Sequence, residues 1–155
     1  MQKKLRGFTL VELMVTIAVA AILLAIGVPS LTSIYESVRV NNNITKIHDI
    51  MVFARSQAIS YGIPVTVSAT NGAWKNGIKV VAGSKELRVI DAFNSSDSLK
   101  EKSDVTSFSF TSEGILPVDS PINIIYCPGG EASNSKSVTV SISGLISYGT
   151  DGNSC

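Results

Sequence analysis

The chain has 155 residues and a formal charge of +1. That length holds one domain beyond a membrane-length segment, and so even a charge balance gives no bulk attraction to nucleic acid. Its two cysteines, Cys127 and Cys155, form no Cys-x-x-Cys or Cys/His cluster, which argues against zinc or redox chemistry.

Three cations, Lys3, Lys4 and Arg6, open the chain ahead of Gly7-Phe8-Thr9-Leu10-Val11-Glu12. The run from Gly7 to Val28 is almost wholly apolar, about the ~20 residues a helix needs to cross a ~30 Å hydrocarbon core. Glu12 is the one carboxylate inside it. An ionisable group in such a segment is costly and needs a partner. By the positive-inside rule the basic start stays cytoplasmic and the body faces the periplasm. There Cys127 and Cys155 can oxidise to a disulfide, tying position 155 to the central hairpin. Two free thiols are the other reading.

One long helix is expected from about Thr9 to about Tyr61. Its first half is apolar all round, as lipid or a filament core requires. Pro29 removes a backbone donor and is the expected kink, with Gly27 loosening the same region. Beyond it, Leu31, Ile34, Tyr35 and Val38 recur at helical spacing. After Asn41-Asn42-Asn43 the stripe resumes at Ile44, Ile47, Met51, Ala54 and Ala58, and it should pack on a sheet. Gly62 and Pro64 mark the helix end.

From Pro64 onward the pattern becomes short alternating runs between turn residues. Strands are expected at Val65–Ala69, Ile78–Ala82, Leu87–Phe93, Val105–Phe110 and Ile122–Cys127, with a last hairpin over Val138–Ile142 and Leu145–Tyr148. Asn71-Gly72 reads as a tight turn. The polar stretch Asn94–Asp104 reads as a loop, with Lys100-Glu101-Lys102 a solvated part of it. The fold class is therefore α+β, a long N-terminal helix packed on an antiparallel sheet. It divides into residues 1–7, a membrane or filament-core helix 8–28, an amphipathic helix 29–62 and a β-rich body 63–155.

No catalytic constellation emerges. His48, the only histidine, sits beside Asp49 with no nucleophile motif, and reads as a helix-surface residue. Trp74 reads as packing, and Arg55 as a favourable charge near the helix end. Cys127-Pro128-Gly129-Gly130 is read as a plain turn, because no helix pattern follows to make an anion site. No enzyme activity, cofactor or metal is expected.

The opening stretch resembles the class III signal peptide and N-terminal helix of type IV pilins and type II secretion pseudopilins. The resemblance implies cleavage by a prepilin peptidase between Gly7 and Phe8, N-methylation of Phe8, and a Glu at the fifth mature position, here Glu12. Pro29 falls where that family often carries a proline. Without the three leader cations the formal charge is about −2. The body is similar to the GspH/FimT group, through Ala54-Arg55-Ser56-Gln57-Ala58, Val65-Thr66-Val67, Trp74 with Gly77 and Ile78-Lys79-Val80-Val81, Ile125-Tyr126-Cys127, and Val138 to Gly144. This implies a pilin-like fold and a structural subunit anchored once in the inner membrane, with its body in the periplasm, that then joins a pilus or pseudopilus. Its partners would be the peptidase, membrane lipid and other minor and major pilins or pseudopilins.

Within that group three roles stay open: a FimT/FimU-like minor pilin that initiates assembly or caps the tip, the minor pseudopilin H, and a DNA-binding minor pilin. The last would want arginines after the glycine of the final hairpin. Gly144-Leu145-Ile146-Ser147 supplies none, so DNA is not an expected partner. Glu12 is expected to neutralise the amine of a neighbouring subunit, with the amine of its own chain as the alternative.

Overall fold

The computed structural model describes residues 8–155, apart from the side chains of residues 28–33. One helix, α1, runs over Leu10–Tyr61. By compactness the chain divides between Val38 and Arg39, so α1 contributes to both units. In the first unit, Leu10–Gly27 is long and apolar enough to cross a membrane, and none of it is buried within the protein.

The body, Arg39–Cys155, is built on the second part of α1. Ile44, Ile47, Met51, Ala54 and Ala58 are all buried, as their spacing requires, and Val40 and Ile50 join them. The predicted stripe does not extend upstream: Ile34, Tyr35 and Val38 are exposed. Leu31 and Pro29 lie among the side chains outside the description, so the expected kink at Pro29 does too. The helix ends where expected. Gly62 takes a left-handed φ of 64° and donates its N–H to Ala58 O at 3.0 Å, closing the last turn.

Eight strands follow: β1 (Val65–Ala69), β2 (Ile78–Ala82), β3 (Lys85–Ile90), β4 (Ser98–Glu101), β5 (Ser107–Phe110), β6 (Ile122–Cys127), β7 (Lys136–Val140) and β8 (Ile146–Tyr148). They form two antiparallel four-stranded sheets, β3-β2-β1-β5 and β4-β6-β7-β8. The buried face of α1 shares one core with both, through Val65, Val67 and Phe110 of the first sheet and Ile124, Tyr126 and Val138 of the second. At ~25 cal/mol per Å² of apolar surface, this common burial is the main force holding helix and sheets together.

The expected strands need correction in their bounds and in number. β3 starts and ends earlier than Leu87–Phe93, β5 starts later than Val105, and β7 starts and ends earlier than Val138–Ile142. More consequentially, Asn94–Asp104 is not all loop, because β4 pairs with β6 in the register Leu99↔Tyr126 and Glu101↔Ile124. Lys100 and Glu101 are strand residues, and Glu101 is buried. Its carboxylate accepts the backbone N–H groups of Ser103 at 2.7 Å, Val105 at 3.1 Å and Asn123 at 3.2 Å. Three donors replace the water it loses, which makes burial of a carboxylate tolerable.

A second buried carboxylate, Asp97, fastens the helix to the second sheet. Arg39 Nη2 lies 3.2 Å from its Oδ1, and the Tyr126 hydroxyl donates to its Oδ2. Asn43 Nδ2 donates to the same hydroxyl at 2.8 Å. The Gly129 N–H donates to Asp97 Oδ1 at 3.0 Å. The Cys127-Pro128-Gly129-Gly130 turn therefore does hold an anion, supplied by the chain itself. Burial, reinforced by the bond to Asp97, pushes the Tyr126 hydroxyl up from 10.0 to about 12.

A raised pKa means that the folded body favours the protonated phenol. Tyr126 thus contributes stability that is complete below pH 10 and lost as pH rises through about 12. The expected result is one late phase in the alkaline ultraviolet titration of tyrosinate, accompanied by unfolding. Tyr126→Phe should remove that phase and leave the other tyrosines unchanged. A titration complete near pH 10 would refute this environment.

Candidate functional site

The N-terminal segment is built around Thr9 and Glu12. Thr9 precedes the first helical residue, and its N–H and hydroxyl both donate to Glu12 Oε2 at 3.2 Å. In return the Glu12 N–H donates to Thr9 Oγ1 at 3.2 Å. This reciprocal pair is a capping box, satisfying helix-terminal donors that would otherwise lack partners. The Thr-x-x-Glu spacing in the sequence is the signal for this cap, which Glu12 makes in addition to its expected ionic role. Only Oε2 is engaged among the described residues, so Oε1 remains open to a cation. Phe8 is exposed at the head of this segment. Gly7 and the rest of residues 1–7 lie outside the described residues.

At the other end of α1, three sequence-separated residues meet. Arg55 does more than sit favourably near a helix end: its Nε donates to Gly114 O at 3.0 Å. Gly144 packs against the same carbonyl. A Cβ on Gly144 would stand 1.8 Å from Gly114 O and 2.9 Å from Arg55 Nε, and its φ is +78°. Leu116 N–H donates to Ile142 O at 2.9 Å beside them. The helix, the loop 111–116 and the β7–β8 hairpin are joined at this point. The arginine and the hairpin glycine were visible as motif residues, whereas Gly114 carried no sequence signal.

Cys127 and Cys155 are joined as a disulfide, with Cα atoms 6.2 Å apart. The segment 149–155 continues along β7. Gly149 N–H donates to Ser137 O at 2.9 Å, Ser137 Oγ to Thr150 O at 3.0 Å and Ser135 Oγ to Asn153 O at 2.9 Å. Lys100 Nζ reaches Cys155 O at 2.8 Å.

The remaining singled-out residues have structural surroundings. Trp74 is buried and donates Nε1–H to Val105 O at 2.7 Å. His48 is a partly exposed helix residue whose ring stacks on Tyr148 with centroids 4.7 Å apart, and its Nδ1 lies 3.3 Å from Asp49 Oδ1. Among the described residues no group of three or more His, Cys, Asp or Glu is placed to hold a metal ion. The arrangement is one of caps, clasps and staples that fix surfaces.

Comparison with known proteins agrees with this picture. Residues 44–145 match the family model described as type II transport protein GspH. Residues 2–28 match that of the prokaryotic N-terminal methylation motif, a span that includes Gly7, Phe8 and Glu12. No curated protein matches the chain in sequence. Among solved structures, the type IV minor pilin FimU of Pseudomonas aeruginosa (strain PAO1) is similar at 23% identity and a TM-score of 0.65, covering 72% of this chain and 88% of that one. The minor pseudopilin EpsH from the type 2 secretion system of Vibrio cholerae is similar at 10% identity and a TM-score of 0.57, covering 72% of this chain and 97% of that one. At these identities the likeness is one of fold. With a GspH model matching most of the body and a methylation motif ahead of it, the chain belongs to the GspH family of pilin-like proteins.

Proposed function

We propose that the protein is a minor type IV pilin of the FimT/FimU kind, a structural subunit that helps initiate pilus assembly or caps the tip. The observation that carries this reading is the methylation motif standing directly ahead of a GspH body on one membrane-length helix. Likeness in fold to FimU supports the pilus reading, and likeness in fold to EpsH supports the secretion system as well. The GspH family model keeps the minor pseudopilin as a second reading. A DNA-binding role has no support, since the hairpin after Gly144 presents Leu145 and no cation. No enzyme activity is proposed.

In this reading a prepilin peptidase cuts between Gly7 and Phe8 and methylates Phe8. The mature chain waits in the inner membrane with its body in the periplasm, then leaves lipid for a filament. The new amine of Phe8 is a cation entering an apolar helix bundle. Glu12 Oε1 is open to accept such an amine from a neighbour while Oε2 caps its own helix. An unpaired charge in that setting would cost several kcal/mol, so the pair rewards one axial register. Intact mass of the assembled protein should show residues 1–7 absent and Phe8 one methyl group heavier.

Glu12→Gln keeps acceptor and cap but removes the charge. Its incorporation into sheared filaments should fall at least tenfold while its level in membranes is maintained. Incorporation equal to wild type would remove the intermolecular role of Glu12. The overall reading is tested by deleting the gene and quantifying sheared pili, with the gene restored as control. Loss of pili that returns on complementation supports the minor pilin. Unchanged pili with impaired exoprotein secretion would transfer the protein to the pseudopilus.

A further inference from the structure

The junction of Arg55, Gly114 and Gly144 is ringed by exposed aliphatic side chains. A groove of about 430 Å³ is lined by the aliphatic Val52, Ile59 and Leu145, by Arg55, and by Ser56 and Ser60. Ile115 and Ile142 are exposed on the loop and hairpin joined beside it by the Leu116 N–H to Ile142 O bond. Leu145, at the hairpin tip, is 61% exposed, and Val52 and Ile59 are also exposed. Together these side chains present on the order of 400 Å² of apolar surface, the scale of a functional patch on a monomer.

Within this aliphatic ring lies one guanidinium. Arg55 uses Nε on Gly114 O, and its terminal nitrogens have no recorded partner among the described residues. A surface of this kind is complementary to an aliphatic face carrying a single carboxylate. Its area is about half of the ~800 Å² per partner that a stable soluble complex needs. It suffices where both chains are already held together by other means, because tethering raises the effective concentration of one for the other. A membrane-length helix supplies such a tether.

We propose that this face docks the body of another pilin-type subunit anchored in the same membrane, through an aliphatic contact centred on Leu145 and Val52 and a carboxylate that meets Arg55. The proposal rests on the assembly role given above and names the surface that serves it.

The test uses the full-length chain in its native membrane, with a photo-crosslinking amino acid at position 145 and mass spectrometry of the adducts. A control places the crosslinker at Val89, an exposed residue of β3. Adducts at 145 to a protein with an N-terminal methylation segment, absent at 89, are expected. Leu145→Glu and Val52→Glu should each reduce co-purification of that subunit at least tenfold, whereas Val89→Glu should leave it unchanged. Oxidation of Cys127 and Cys155 in each variant reports that the body has folded. Folded variants that retain the partner, or adducts at 145 to duplex DNA only, would overturn the surface. Failure of the wild-type chain to co-purify with any pilin-type subunit would overturn the assembly role, and this docking face with it.

Discussion

Replacing Gly144 with alanine should destabilise the body by ~3 kcal/mol or more, the sum of two costs that the site imposes at once. The φ of +78° is left-handed, which costs a residue with a Cβ about 1–2 kcal/mol. The added atom would also stand 1.8 Å from the Gly114 carbonyl oxygen and 3.0 Å from its carbon. Neither neighbour is the loose end of a side chain, so the hairpin must move away from the loop 111–116. Forced repacking of this kind typically costs about 1–3 kcal/mol. The movement also disturbs the acceptor of Arg55, and through it the end of α1.

Gly83 is the proper control. Its φ is +59°, but a Cβ there meets nothing within 4 Å, so Gly83→Ala carries only the conformational cost. Urea unfolding of both variants separates the two terms. Equal losses would mean that the close approach at Gly144 relaxes freely and the junction is not tight.

The second large effect concerns the disulfide. Serine at both Cys127 and Cys155 should lower stability by ~3–4 kcal/mol on the chain-entropy account of loop closure. The bridge spans 28 positions, long enough for that term to matter. The wild type in reductant should fall to the midpoint of the double variant, and the double variant should ignore reductant. Hydrogen exchange should locate the loss first in 149–155, whose mostly exposed residues are held by bonds to Ser135 and Ser137. Backbone amides in β6 and β7 should remain slow under the same conditions. A loss below ~1 kcal/mol would show that these hydrogen bonds hold the segment without the bridge.

Much of this architecture could be read from residue patterns. The apolar run from Gly7, the buried series Ile44 to Ala58, and the alternation in β1, β2 and β7 each follow from a face that must leave water. The methylation motif was equally plain, because its residue types are specified by position.

What escaped was structure carried by polar groups. Ser98-Leu99-Lys100-Glu101 reads as loop because its second inward position is a carboxylate. Only the three N–H groups around Glu101, drawn from two other segments, make that burial tolerable. Asp97 was hidden in the same way, its donors coming from α1, β6 and the turn after β6. Arg55 was noticed for its charge, yet its bonding is set by Gly114, a loop glycine with nothing local to single it out. In the other direction, Ile34, Tyr35 and Val38 have the spacing of a buried stripe and are exposed. Periodicity identifies a face that prefers to leave water and does not identify what covers it.

The exchange of order between β4 and β5 has a consequence for how the body can form. The first sheet needs β5, which lies beyond β4, and β4 belongs to the second sheet, where it must await β6. All four strands of the first sheet precede β6, so β4 stays unpaired until β6 arrives. The pairing of β4 with β6 joins segments well separated in the chain, and such non-local contacts slow folding. Cys155 can meet Cys127 in its native place only after β6, β7 and β8 are in register. Oxidation of this pair thus acts as a timestamp, marking molecules whose second sheet has already closed.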